Sequence, residues 1–131
     1  MAPLQAAALW TALLILLLVV LSVRVMRARW RHRVSLGEGP GGEMTVLSRG
    51  FGNAAEYTPL MIGALILIAS LGGSTIEVHL LGGLFFLGRL LHPVGLAMRA
   101  PNWARAAGML LTWLPLIAAA ILLLVAAFVR L

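Results

Sequence analysis

The chain has 131 residues, 62% of them hydrophobic and only 11% charged, and its mean hydropathy is +1.04; this balance excludes an ordinary soluble domain and makes a bilayer its natural solvent. There is no cysteine, so disulfides, thiolate metal sites and a protein thiol nucleophile are excluded, and any thiol chemistry must use a thiol brought by a ligand. A formal charge of +6 is also met in nucleic-acid binders, but here the arginines stand beside apolar runs rather than on a soluble face, which assigns them to membrane topology and argues against a nucleic-acid partner.

A spanning helix needs about 20 mostly apolar residues, so the length holds four spans with short connections in a single domain. The first is expected over 4–25. The opening MAPLQAAALW lacks a basic n-region, and the apolar run after it is too long for a signal h-region and shows no clear cleavage site, so it reads as a retained span. Next comes RVMRARWRHR with Arg24, Arg27, Arg29, Arg31 and Arg33, the mark of a cytoplasmic boundary under the positive-inside rule. Residues 35–43, SLGEGPGGE, read as a glycine-rich polar loop. The second span is expected over 46–71, ending at Gly72 and Gly73, the third over 76–98 and the fourth over 106–129. Short loops imply helical hairpins, hence an all-α, up-down bundle of four transmembrane helices. With the arginine cluster inside, both termini lie outside and the Arg99 to Arg105 loop returns to the cytoplasm. Nine of the ten arginines then fall on or near the inner side, leaving Arg130 outside, and Trp30 and Trp103 reach the inner interface. Pro59, Pro93 and Pro115 interrupt apolar helices, where neighbouring helices can satisfy the freed backbone groups. Gly63, Gly82, Gly83, Gly88 and Gly95 lack any nucleotide-loop spacing and serve close helix packing instead.

The polar residues inside these spans carry the chemistry. RGFGNAAEYTPL places Arg49, Asn53 and Glu56 at i, i+4 and i+7, which at about 100° per residue is one helix face. An ionised side chain at mid-membrane costs about 2.5 to 3.5 kcal/mol, so Glu56 is expected to face protein or water. The bland reading is an interhelical Arg–Glu pair that only fixes packing. In GRLLHPVGLAMR, Arg89 and His92 stand three residues apart near the end of the third span and share a face. For His92 a hydrogen-bonded packing role competes with ligand contact, and a metal site lacks further well-spaced ligands. Because the second span begins inside and the third ends inside, the two clusters occupy one leaflet. Several cations, one carboxylate, an amide and the Tyr57 phenol contain no Ser-His-acid arrangement. They suit an anionic, zwitterionic small molecule: guanidiniums take carboxylates, Glu56 an ammonium and Asn53 an amide, all groups that glutathione carries.

The R-x-x-x-N-x-x-E-Y-x-P pattern at Arg49 to Pro59 and R-x-x-H at Arg89 to His92, together with the four spans and the basic first loop, resemble the MAPEG family, the membrane-associated proteins of eicosanoid and glutathione metabolism, and within it the bacterial microsomal glutathione transferase-like members. The resemblance covers essentially the whole chain. It implies a homotrimer that binds glutathione between subunits on the cytoplasmic side, with Arg49, Asn53, Glu56 and Tyr57 in the glutathione site, Arg89 as a further binding arginine and His92 beside it. It also implies an arginine that stabilises the glutathione thiolate; spacing from Arg89 assigns this to Arg105, with Arg99 as the fallback. Arg27 or Arg29 would add a carboxylate contact from the first helix. Leu96 stands where family enzymes often carry a tyrosine, and Ala106 where some carry a serine, departures that weigh against an eicosanoid reaction.

The leading expectation is therefore a glutathione-dependent transferase or peroxidase in a bacterial inner membrane, acting on lipophilic electrophiles that arrive through the lipid. Two other classes stand beside it. One is a small proton-coupled multidrug exporter using Glu56, for which Arg49 and Arg89 beside the glutamate have little purpose; the other is a noncatalytic membrane scaffold with a residual ligand site.

Overall fold

The structure, a computed structural model, describes residues 1–37, 39 and 41–129. Glu38 and Pro40 of the expected loop, and Arg130 with its expected external position, lie outside the described residues. The described residues form four helices: α1 (Pro3–His32), α2 (Glu43–Ser70), α3 (Thr75–Ala97) and α4 (Trp103–Phe128). Each is long and apolar enough to cross a membrane, and among the described residues there is no strand.

The helix ends follow from local chemistry more than from the apolar runs. α1 does not stop at Val25 but continues through the arginines, because nothing between Met26 and His32 breaks a helix. At 1.5 Å per residue, a 30-residue helix is about 45 Å long, well beyond a hydrocarbon core of about 30 Å, so its basic turns can stand clear of the lipid. It ends at Arg33, whose left-handed backbone (φ 52°) lets the Val34 N–H return to the Arg29 carbonyl at 3.0 Å. α2 opens on Glu43, which pairs back onto α1 through Arg31 at 3.1 Å and His32 at 2.7 Å. The Ser74 hydroxyl accepts from the Glu77 N–H at 3.2 Å while the Glu77 carboxylate accepts from the Ser74 N–H at 2.6 Å, a capping box that starts α3. α4 starts at Trp103, ahead of the apolar run, because Asn102 caps it by accepting from the Arg105 N–H at 2.9 Å. Pro59, Pro93 and Pro115 are carried inside continuous helices.

Large apolar side chains such as Leu16, Val20, Leu60 and Leu114 cover the outside, while Ala7, Ala54, Ala104 and Ala119 are buried within. This is how membrane helices pack: lipid tails are as apolar as leucine, so what draws the helices together is close fit, and small residues permit it. A core of Leu14, Met61, Leu65, Val78 and Phe85 joins α1, α2 and α3. Trp10 closes it at one end, donating to His79 Nδ1 at 3.1 Å, and the Thr75 hydroxyl donates to the Met1 carbonyl at 3.0 Å. Those contacts bring the starts of α1 and α3 together. α3 and α4 form the most extensive helix pair, and four buried polar side chains, Thr58, Arg89, His92 and Thr112, cluster along α2, α3 and α4.

Candidate functional site

The helical face read from RGFGNAAEYTPL is realised in α2: Arg49, Asn53 and Glu56 line one cleft of about 570 Å³, together with Thr45, Ser48 and Gly52. α3 contributes His92 and Leu96, and α4 contributes Arg105 and Met109. Arg49, Glu56 and Arg105 are exposed to the cleft, Asn53 is half-buried, and His92 is buried. Among the described residues the ion pairs are those of Glu43 with Arg31 and His32; Arg49 and Glu56 do not pair with each other. The packing-only reading of that arginine and glutamate therefore has no contact to rest on, and both charges are left to whatever enters the cleft.

Close approach of α3 and α4 places the remaining side chains. A Cβ on Gly95 would stand 2.3 Å from the Arg105 backbone nitrogen, and one on Gly108 would stand 2.8 Å from the His92 backbone. Only glycine lets the helices meet at those levels, and that meeting brings Arg105 and His92 to the rim already lined by α2. Asn102 secures the junction: besides capping α4, its amide donates to the Gly95 carbonyl at 2.8 Å and to the Arg99 carbonyl at 3.2 Å. Arg105 lines the cleft and Arg99 does not. Leu96 puts an aliphatic side chain in the lining. His92 is 5% exposed, and its Nδ1 has no hydrogen-bond partner among the described residues.

Arg89 is not in the cleft lining. It is 1% exposed and lies behind Asn53, with its Nη1 donating to Asn53 Oδ1 at 2.6 Å and its Nη2 to the Gly108 carbonyl at 3.3 Å and to the Thr112 hydroxyl. Tyr57 likewise turns away from the cleft: its ring flanks the Arg89 guanidinium at 5.6 Å, and its hydroxyl accepts from Trp113 Nε1 at 3.4 Å. Arg29 lines a different cleft, of about 610 Å³, with Trp30, Arg33 and Phe51, and donates to the Ser35 and Gly37 carbonyls at 3.3 Å each. Arg27 is exposed and lines neither cleft. Thr112, Asn102 and Met109 are parts of the site region that sequence reading passed over. An asparagine before an apolar run was a readable cap signal; nothing marked the other two.

Two guanidiniums and one carboxylate lining a cleft between helices of a membrane bundle, with a third guanidinium buried behind it, define a class: a polytopic membrane protein with a cationic cleft opening near one end of its spans. Residues 7–125 match the model of the MAPEG family. The inner membrane protein YecN of Escherichia coli strain K12 is 37% identical over 111 residues, covering 85% of this chain and 84% of that protein, and YecN of strain O6:H1 matches to the same extent. The chain belongs to the MAPEG family of membrane proteins, the family of glutathione and eicosanoid metabolism.

Proposed function

We propose that the cleft binds glutathione and that the protein is a glutathione-dependent transferase or peroxidase acting on lipophilic electrophiles. The observation that carries this reading is the convergence of Arg49, Asn53, Glu56, His92 and Arg105 on one cleft, with Arg49 and Glu56 unpaired. Guanidiniums bind carboxylates bidentately, the carboxylate takes an ammonium, and the amide completes a tripeptide's backbone. Arg105 is the proposed catalytic residue: a cation beside the thiol favours its ionised form and lowers its pKa. The thiolate sulfur attacks an electrophilic carbon, forming a C–S bond as the leaving group departs with its electron pair. With a peroxide it attacks the terminal oxygen, the O–O bond breaks and the alkoxide takes a proton to leave as the alcohol; a second glutathione thiolate then attacks the resulting sulfenic sulfur, forming the disulfide and releasing the hydroxyl as water. The remaining cleft side chains hold the sulfur in reach, a positioning contribution, and Tyr57 serves from behind by flanking Arg89.

The assembly and orientation belong to the same proposal. Contacts between the end of α1 and the start of α2, and between the starts of α1 and α3, support an up-down bundle. The arginines gathered at the cleft end support a cytoplasm-facing site with both termini external. Arg27 and Arg29 lie outside their own chain's cleft, which suits a contribution to that of a neighbour in a homotrimer. The inner-membrane name of the E. coli relative supports a bacterial inner membrane location.

Calorimetric titration of the detergent-purified protein with glutathione tests the reading: binding at millimolar concentration or below is expected, and none overturns it. Removing a neighbouring cation returns a thiol pKa upward by about 1 to 2 units, so Arg105→Ala is expected to lose about 10- to 100-fold in conjugation of a chlorodinitrobenzene near neutral pH, with its pH–rate profile displaced upward; unchanged turnover removes the role. Leu96 in the lining favours one second reading, a site that binds without turnover, recognised by glutathione binding in the absence of any conjugation or peroxide reduction. A cationic drug exporter is disfavoured by Arg49 and Arg105, whose guanidiniums line the same cleft as Glu56.

A further inference from the structure

Arg89 is a buried cation with no anion beside it among the described residues. Its partners are the Asn53 side-chain oxygen at 2.6 Å, the Asn53 carbonyl at 3.5 Å, the Gly108 carbonyl at 3.3 Å, the Met109 sulfur at 3.9 Å and the Thr112 hydroxyl. The rings of Tyr57 and Phe85 flank it at 5.6 and 5.7 Å. Every one of these groups is neutral. Thr112, itself 0% exposed, donates its hydroxyl hydrogen bond to the Gly108 carbonyl at 2.7 Å, so its oxygen lone pairs remain for the guanidinium.

This arrangement settles the direction of the Asn53 amide. A guanidinium has five N–H donors and no acceptor, so only the oxygen end of the amide can face it. The NH₂ end is then the one left over, and it makes none of the described hydrogen bonds, although Asn53 lines the cleft. We propose that Arg89 is a positioning residue that never touches the ligand: it holds the Asn53 oxygen from behind, with Thr112 as its anchor, so that the cleft presents an N–H donor and selects a ligand with a carboxylate or peptide carbonyl at that point. The uncompensated charge behind the amide adds to the preference for an anion. This assigns Arg89 a role different from the direct binding contact implied by family resemblance, and it rests on the glutathione reading only for the choice of probe.

Asn53→Asp separates orientation from packing. A carboxylate there pairs with Arg89, so the melting temperature is expected to equal or exceed that of the wild type, while an acceptor replaces the cleft-facing donor and glutathione affinity falls about tenfold or more. Thr112→Val, remote from the ligand, is expected to weaken binding about threefold with the hydroxyl gone, and Thr112→Ser to restore it to within about twofold. Asn53→Asp binding within about twofold of wild type at an undiminished melting temperature overturns the proposal and leaves the glutathione site standing. If the wild type binds no glutathione, the glutathione reading fails, and the melting temperature of Asn53→Asp still decides the orientation: an equal or higher value upholds the Arg89 contact, and a fall overturns it.

Discussion

Glu56 shows how far a single side chain can be read. Its place in the sequence, two turns into a span and on one face with Arg49 and Asn53, made it the residue hardest to explain by packing, and it lines the cleft without pairing to Arg49. If it receives the ligand's ammonium, Glu56→Gln removes a charged hydrogen bond of about 1.5 kcal/mol, and glutathione affinity drops about tenfold. Glutathione acylated at its amine has no such contact to lose, so calorimetry is expected to find its affinity for wild type and variant alike; an equal loss for both probes refutes the pairing. Arg89 was less legible. Its i, i+3 spacing with His92 gave both residues one helix face, yet His92 enters the lining and Arg89 stays behind it. A few tens of degrees around the helix and the reach of a long side chain separate a ligand contact from a support, and neither is visible in spacing.

At the scale of elements, the four spans were legible because runs of about 20 apolar residues have few alternatives in a chain of this composition. Their ends were not, because hydropathy registers lipid contact while a helix stops at caps and breakers. α1 runs on to His32 because arginines are good helix formers, and α4 begins early because Asn102 caps it. That cap also bears on the site, since Asn102 binds both the Arg105 N–H and the Gly95 carbonyl. Asn102→Ala is expected to cost about 1 kcal/mol in stability, seen as a lowered melting temperature, and to reduce turnover beyond what that loss explains by freeing the first turn that carries Arg105. Normal kinetics in a merely less stable variant would confine Asn102 to capping. Tyr57 was placed with the ligand by its motif neighbours, but one residue beyond Glu56 turns the helix by about 100°, away from the cleft and onto Arg89.

For the whole molecule, charge asymmetry is the strongest global signal: Arg24 to Arg33, Arg49, Arg99 and Arg105 all fall toward the cleft end. Because the chain has no cysteine, single cysteines report topology without background. Leu36→Cys, in the basic loop, is expected to resist a membrane-impermeant thiol reagent applied to intact spheroplasts, and Gly72→Cys, between α2 and α3, to react with it. The reverse pattern would turn the cleft outward and remove access to cytoplasmic glutathione.

Composition and pattern alone determined a membrane chain of four apolar helices, a basic end, and a polar face on α2 chemically suited to a zwitterionic anion, since each of these depends on local residue types and spacing. Tertiary structure alone decided which polar groups share the cleft. In a bilayer the inside of a bundle is no more apolar than the outside, so hydrophobic periodicity cannot say which face turns inward. That choice was made by the glycine contacts of α3 with α4, which bring Arg105 and His92 to Arg49, Asn53 and Glu56 and leave Arg89 behind the amide.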